Sequence, residues 1–177
     1  MGPLDLLCDG MIAFYEGDPK RIQHFLKVHS LARLIAVSEG VDAHTRFTLE
    51  AAAYVHDIGV RPAEEKYGSS AGSLQEKEGP APARTMLEEL YFPQDVIDRV
   101  VFLVGRHHTY QEIDGADFQI LVEADTLVNL CEEGAGESAV WSAYRRIFRT
   151  ESGKRLLRLM FRIKELEKRR WIHAVII

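Results

Sequence analysis

The chain has 177 residues, 46% of them hydrophobic and 28% charged, with a formal net charge of −5. That length can bury a core of its own, and the composition excludes a disordered or collagen-like chain. It has no run of about 18 apolar residues to span a membrane, and two distant cysteines, Cys8 and Cys131, that suit reduced thiols in a cytoplasmic protein rather than a disulfide framework.

The first residues, MGPLDLLCDGMIAF, lack a basic start and carry Asp5 and Asp9 among apolar residues, so no signal peptide is expected. Asp18-Pro19 reads as an N-cap followed by proline at the first helical position, and Gly40 as a stop. Between them Ile22, Phe25, His29, Ala32 and Ala36 share one stripe; His24, Val28, Leu31 and Ile35 form the adjoining one. A second helix should run from Asp42 or Ala43 to Asp57, ending in the small, apolar AAAYVHD before Gly59. Residues 60–79 hold Pro62, Gly68, Gly72 and Gly79 and read as the longest irregular stretch, a candidate lid or binding loop.

Further helices are expected at about 80–90, 94–107 (opened by Pro93), 117–132, 136–148 and 152–169. The closing WIHAVII could form a short strand or an apolar docking tail. No internal repeat or alternating β/α pattern occurs. The expected fold is therefore an all-α helical bundle in a single domain over 1–177, with a basic helical part from about 136 onward. From Trp141 the chain carries a charge of +8, against −13 before it. A basic tail could meet nucleic acid, but a solvated helix face or contact with the acidic body explains it better. The apolar faces near the end would also allow a homodimer.

Chemistry concentrates in three places. His56-Asp57 ends an apolar helix, where a buried carboxylate needs a compensating charge. Asp125 lies on the apolar stripe of FQILVEADTLVNL with Leu121 and Val128. His24 sits at the edge of a stripe on the first helix, with His29 as its rival. Imidazoles and carboxylates offered by three separate helices suit a divalent metal with open water positions.

These residues resemble the pattern of the HD domain superfamily, H…HD…D across a helical domain. HFLKVHSLARLIA is similar to its first-histidine helix, YVHDIG to its central motif and LVEADTLVNL to its final-aspartate helix, over about residues 20–130. The spacings are 32 residues from His24 to His56 and 68 from Asp57 to Asp125. The resemblance implies an HD-domain bundle that hydrolyses phosphate esters or anhydrides. The substrate would be a small phosphorylated metabolite, a nucleotide before others. It implies one divalent ion (Mn, Fe, Ni, Co, Zn or Mg) on His24, His56, Asp57 and Asp125, with Asp57 also serving catalysis. Lys27 stands where the family commonly has a basic residue that can reach the phosphate. Arg61, Lys66, His107 and His108 are further candidates for substrate binding.

Two departures qualify this reading. Two-metal members have an additional histidine where Gln75 stands, whereas His107-His108 matches their later pair, so a second metal is the less favoured expectation. The family's guanosine tetraphosphate hydrolases and 5′-nucleotidases carry an acidic residue soon after the HD pair; here Ile58, Gly59, Val60 and Arg61 follow. A nucleotide-sensing regulatory module that does not turn over its ligand is therefore the alternative.

Overall fold

The computed structural model describes residues 1–163, whose regular structure is all helical. In chain order the helices are α1 (Pro3–Phe14), α2 (Pro19–Ser38), α3 (Ala43–Val55), α4 (Val60–Tyr67), α5 (Gly72–Glu78), α6 (Pro80–Glu89), α7 (Gln94–Val104), α8 (Ala116–Glu132), α9 (Glu137–Arg146) and α10 (Glu151–Phe161). No strand occurs among the described residues, and none of these helices is long and apolar enough to cross a membrane. The strand allowed for in WIHAVII falls on 171–177, outside the described residues.

The bundle is built around α2, α3 and α8, with α7 against α3. Asp18 caps α2 by accepting from the Arg21 amide, and Pro19 opens it. Asp42 caps α3 by accepting from the His44 and Thr45 amides. Ala51, Ala52 and Ala53 are fully buried, and their small side chains let neighbouring helices close on α3. From Asp117 to Val128 every residue of α8 except Gln119 is buried, which marks α8 as the central helix. Phe25, Ile35, Leu49 and Phe118 are buried, and each such side chain contributes roughly 2–3 kcal/mol on leaving water.

Residues 60–79 differ from expectation: α4 and α5 occupy most of the stretch. Pro62 falls in the first turn of α4, where its missing amide costs no helical bond. Gly68 ends α4 at φ +67°, a left-handed C-cap. The apolar face of α4 is narrow, with only Val60 and Ala63 buried, which leaves little periodicity to detect. α1 was not foreseen at all. α7 stops at Val104, so His107 and His108 lie in the turn beyond it rather than on the helix. α10 ends at Phe161, where Arg162 adopts a left-handed conformation, φ +51°; the remainder of the helix expected to 169 falls on 164–169, outside the described residues.

Glu123, two residues before Asp125 on α8, is fully buried. It accepts from the amides of Arg149 (2.6 Å) and Thr150 (2.9 Å) and from the Thr150 hydroxyl. A carboxylate beneath a helix N-terminus is favourable there, and this one ties α10 to α8.

Candidate metal centre

The turn after α3 is fixed from three sides. His56 is the C-cap of α3, and the Val60 amide donates to the Asp57 carbonyl at 2.9 Å. The hydroxyl of buried Tyr15, just beyond α1, donates to the same carbonyl at 2.7 Å. Gly59 lies against the α5–α6 corner: a Cβ there would stand 2.3 Å from the Gln75 carbonyl and 2.8 Å from the Gly79 amide. Only glycine permits this backbone approach.

Four elements then converge: α2, the turn after α3, α8 and the turn after α7. From α2, His24 Nε2 lies 3.3 Å from His56 Nε2, 3.4 Å from Asp57 Oδ2 and 3.2 Å from Asp125 Oδ1. His56 Nε2 is 3.6 Å from carboxylate oxygens of both Asp57 and Asp125. From the turn after α7, His107 Nε2 approaches Asp57 Oδ1 at 3.3 Å. His56 is fully buried and His24, Asp125 and His107 nearly so, whereas the Asp57 side chain keeps 26% of its exposure. Asp57 is thus the acidic group of the cluster that solvent can reach. Asn129, one turn along α8, donates to Asp125 Oδ1 at 2.9 Å and holds that carboxylate.

The proton positions follow from the acceptors. His56 Nδ1 donates to the Ala53 carbonyl and His107 Nδ1 to the Val104 carbonyl, both at 2.9 Å. His24 Nδ1 donates to Glu132 Oε2 at 3.1 Å. Carbonyls and carboxylates can only accept, so each Nδ1 carries a proton and each neutral ring presents a bare Nε2 to the cluster. His24 and His56 would then set lone pair against lone pair, which requires a cation or a proton between them. His107 Nε2 is buried without a hydrogen bond. This donor set fits a divalent ion: neutral imidazole nitrogens and carboxylates, with the outer imidazole nitrogens anchored. Two groups have the compactness to hold one, His24 with His56 and Asp57, and Asp57 with His107 and His108.

Electrostatics carry the same demand. Burial alone would lower the His24 pKa, but the Asp125, Asp57 and Glu132 carboxylates push it up to about 9. His56 is also raised: burial opposes its charge, and Asp57 and Asp125 outweigh it. Burial works against ionising Asp57 and Asp125, yet the surrounding imidazoles hold both well below the usual carboxylate range. His108 is lowered, by burial and then by His107 beside it.

The other sequence candidates fall at different distances from this cluster. Lys27 donates to Glu132 Oε1 at 2.6 Å, one residue removed from His24. His108 Nε2 lies 3.2 Å from Gln75 Oε1, and its ring fills the space that a Cβ on Gly72 would need. Arg61 donates to the Phe14 carbonyl and lies over the Phe14 and Tyr15 rings. Lys66 is paired with Glu78 at 3.1 Å on the surface. Neither Arg61 nor Lys66 touches the cluster in these bonds. His29, the rival first histidine, faces Glu50 at 3.1 Å and stacks on Tyr54. Sequence reasoning missed Glu132, Asn129 and Tyr15. The first two had a signal: Asn129 and Glu132 follow Asp125 by four and seven residues, so all three share a face of α8. A cavity of about 450 Å³ is lined by Leu26, Lys27, Leu31, Val128, Cys131 and Met160 among others, and none of the converging residues lines it.

An all-α bundle with imidazoles and carboxylates meeting from α2, the α3 turn and α8 defines a helical protein with a candidate divalent-metal centre. The HD domain family model matches residues 21–146, and the chain belongs to that family. A solved structure of a predicted HD superfamily hydrolase from an uncultured Thermotogales bacterium is similar over 90% of this chain and 83% of its own. Its identity is 24% and its TM-score 0.61, a likeness of fold. No curated protein matches the chain.

Proposed function

We propose that this chain is a metal-dependent phosphohydrolase acting on a small phosphorylated metabolite, with a nucleotide as the favoured substrate. His24, His56, Asp57 and Asp125 would hold one divalent ion. The observation that carries this reading is the pair of imidazole Nε2 atoms 3.3 Å apart between two carboxylates. A divalent ion supplies Lewis acidity toward a phosphoryl oxygen and acidifies water.

Asp57, the more accessible carboxylate of the set, orients the attacking water and accepts its proton. The water oxygen forms the new bond to phosphorus as the bond to the leaving oxygen breaks, and the proton that Asp57 accepted passes, directly or through solvent, to that leaving oxygen. His107 and His108 stand on the far side of Asp57 and can donate hydrogen bonds to the phosphoryl group. Lys27 remains half exposed and has donors beyond the one given to Glu132. Arg61 and Lys66 would have to leave the Phe14 carbonyl and Glu78 to reach a phosphate.

One observation favours the regulatory alternative. Glu64, the first carboxylate after the HD pair, is bound to Arg21 at 2.6 Å instead of standing free near the cluster. Turnover of a panel of nucleotides and phosphomonoesters with added Mn²⁺ separates the two readings. Hydrolysis by the wild type that falls at least about 100-fold in Asp57→Ala supports catalysis, a loss of the size expected for general base removal. Tight nucleotide binding without product over hours would favour the sensing module. Full metal-dependent activity in Asp57→Ala would overturn the role given to Asp57.

A further inference from the structure

The three imidazoles of the cluster are anchored in two different ways. His56 and His107 follow the ends of α3 and α7, where unpaired carbonyls are available, and each donates to the carbonyl three residues back. His24 lies within α2, where the preceding carbonyls are committed to the helix. Its Nδ1 has no backbone acceptor to use and needs one from another element. Glu132 provides it, at 3.1 Å from α8.

The Glu132 carboxylate is itself held. Oε2 accepts from His24, and Oε1 accepts from Lys27 at 2.6 Å. Lys27 lies three residues after His24 on α2, so one helix supplies both donors. Glu132 lies seven residues, about two turns, after Asp125, so α8 supplies both a ligand candidate and this acceptor. The Glu132 side chain is 19% exposed, which keeps the bond partly out of water.

We propose that Glu132 is a positioning residue for the metal centre. It fixes His24 with the proton on Nδ1, keeps Nε2 bare and aimed at the cluster, and raises the donor strength of that nitrogen through its charge. Lys27 holds the carboxylate in place. The inference rests on the reading of His24 and Asp125 as ligands.

The test is Zn²⁺ affinity, by competition with a chromophoric chelator, for chelator-stripped wild type, Glu132→Ala, Glu132→Gln and Asp125→Ala. Glu132→Ala should bind about 10–100-fold more weakly, as loss of an outer partner of a ligating histidine does. Glu132→Gln keeps an acceptor oxygen without the charge and should fall between Ala and wild type. In ¹⁵N-labelled, Zn²⁺-loaded protein the His24 Nδ1–H signal should persist in wild type and Gln and be lost to exchange in Ala. A purely structural role would lower thermal stability without this graded order or change in the imidazole signal.

Wild-type affinity and an unchanged His24 signal in Glu132→Ala, with binding lost in Asp125→Ala, would overturn the proposal and leave the metal centre standing. Wild-type affinity in Asp125→Ala would remove the four-ligand reading and this inference with it. If Glu132→Ala fails to fold, Glu132→Gln decides: weakening of about threefold or more, part of the outer-partner effect, supports the role, and unchanged affinity overturns it.

Discussion

His24 and His29 stand five residues apart on α2, and each meets a carboxylate at 3.1 Å, yet their surroundings are opposite in charge. His29 faces Glu50, and Glu50 also has Arg33 and Arg46 at 3.6 Å each. That site supplies its own cations and closes with the Tyr54 ring stacked at 4.0 Å. His24 faces Asp57, Asp125 and Glu132, with Lys27 as the cation paired to one of them. Burial and residue type do not separate the two histidines. The unbalanced negative charge around His24, gathered from the α3 turn and α8, does.

The largest expected effect breaks the comparison directly. His24→Ala should weaken Zn²⁺ or Mn²⁺ binding by more than the roughly 10–100-fold that an outer partner costs. His29→Ala should leave metal affinity unchanged and lower stability by about 1–3 kcal/mol, because buried Glu50 loses a hydrogen bond. Calorimetric titration and chemical denaturation of the two variants read these outcomes. Equal metal affinity in the two variants would contradict the distinction.

A smaller effect sharpens it through pH. In metal-free protein the His24 pKa is raised to about 9, so the proton it binds stabilises the folded state fully below about 6.5 and ceases to do so as pH rises through 9. The contribution is at most about 3 kcal/mol. For His29 burial lowers the pKa, with Glu50 opposing, so its contribution has the reverse sign and is lost as pH falls below about 6.5. Denaturation curves from about pH 5.5 to 9.5 in chelator should therefore decline on the alkaline side less steeply in His24→Gln than in wild type. A saturating divalent ion should remove the His24 contribution, since ligands bind metal in exchange for protons.

Much of the scaffold was legible because its signals are local. Asp18-Pro19 and Asp42 cap α2 and α3 as their residue types suggest, and α8 declares itself by an apolar run that leaves Asp125 exceptional. α4 was hidden by Pro62 and a two-residue apolar face, and α5 by its seven-residue length. The convergence of His24, His56, Asp57 and Asp125 could be proposed from the HD pattern. The role of Glu132 depends on how α2 lies against α8, which no local signal states. Lys27 was legible as a basic residue beside His24; its bond to Glu132 was not. Arg61 is basic and close to the motif in sequence, yet the cation–π contacts and carbonyl at the end of α1 claim it.

The most direct test of the account is metal content by mass spectrometry, on protein purified without chelator or affinity tag, beside Asp125→Ala. The account predicts about one divalent ion per chain in wild type, as a single four-ligand centre requires, and loss of that ion in Asp125→Ala. No metal in wild type after Mn²⁺, Fe²⁺ or Zn²⁺ is restored, or an undiminished content in Asp125→Ala, would contradict it.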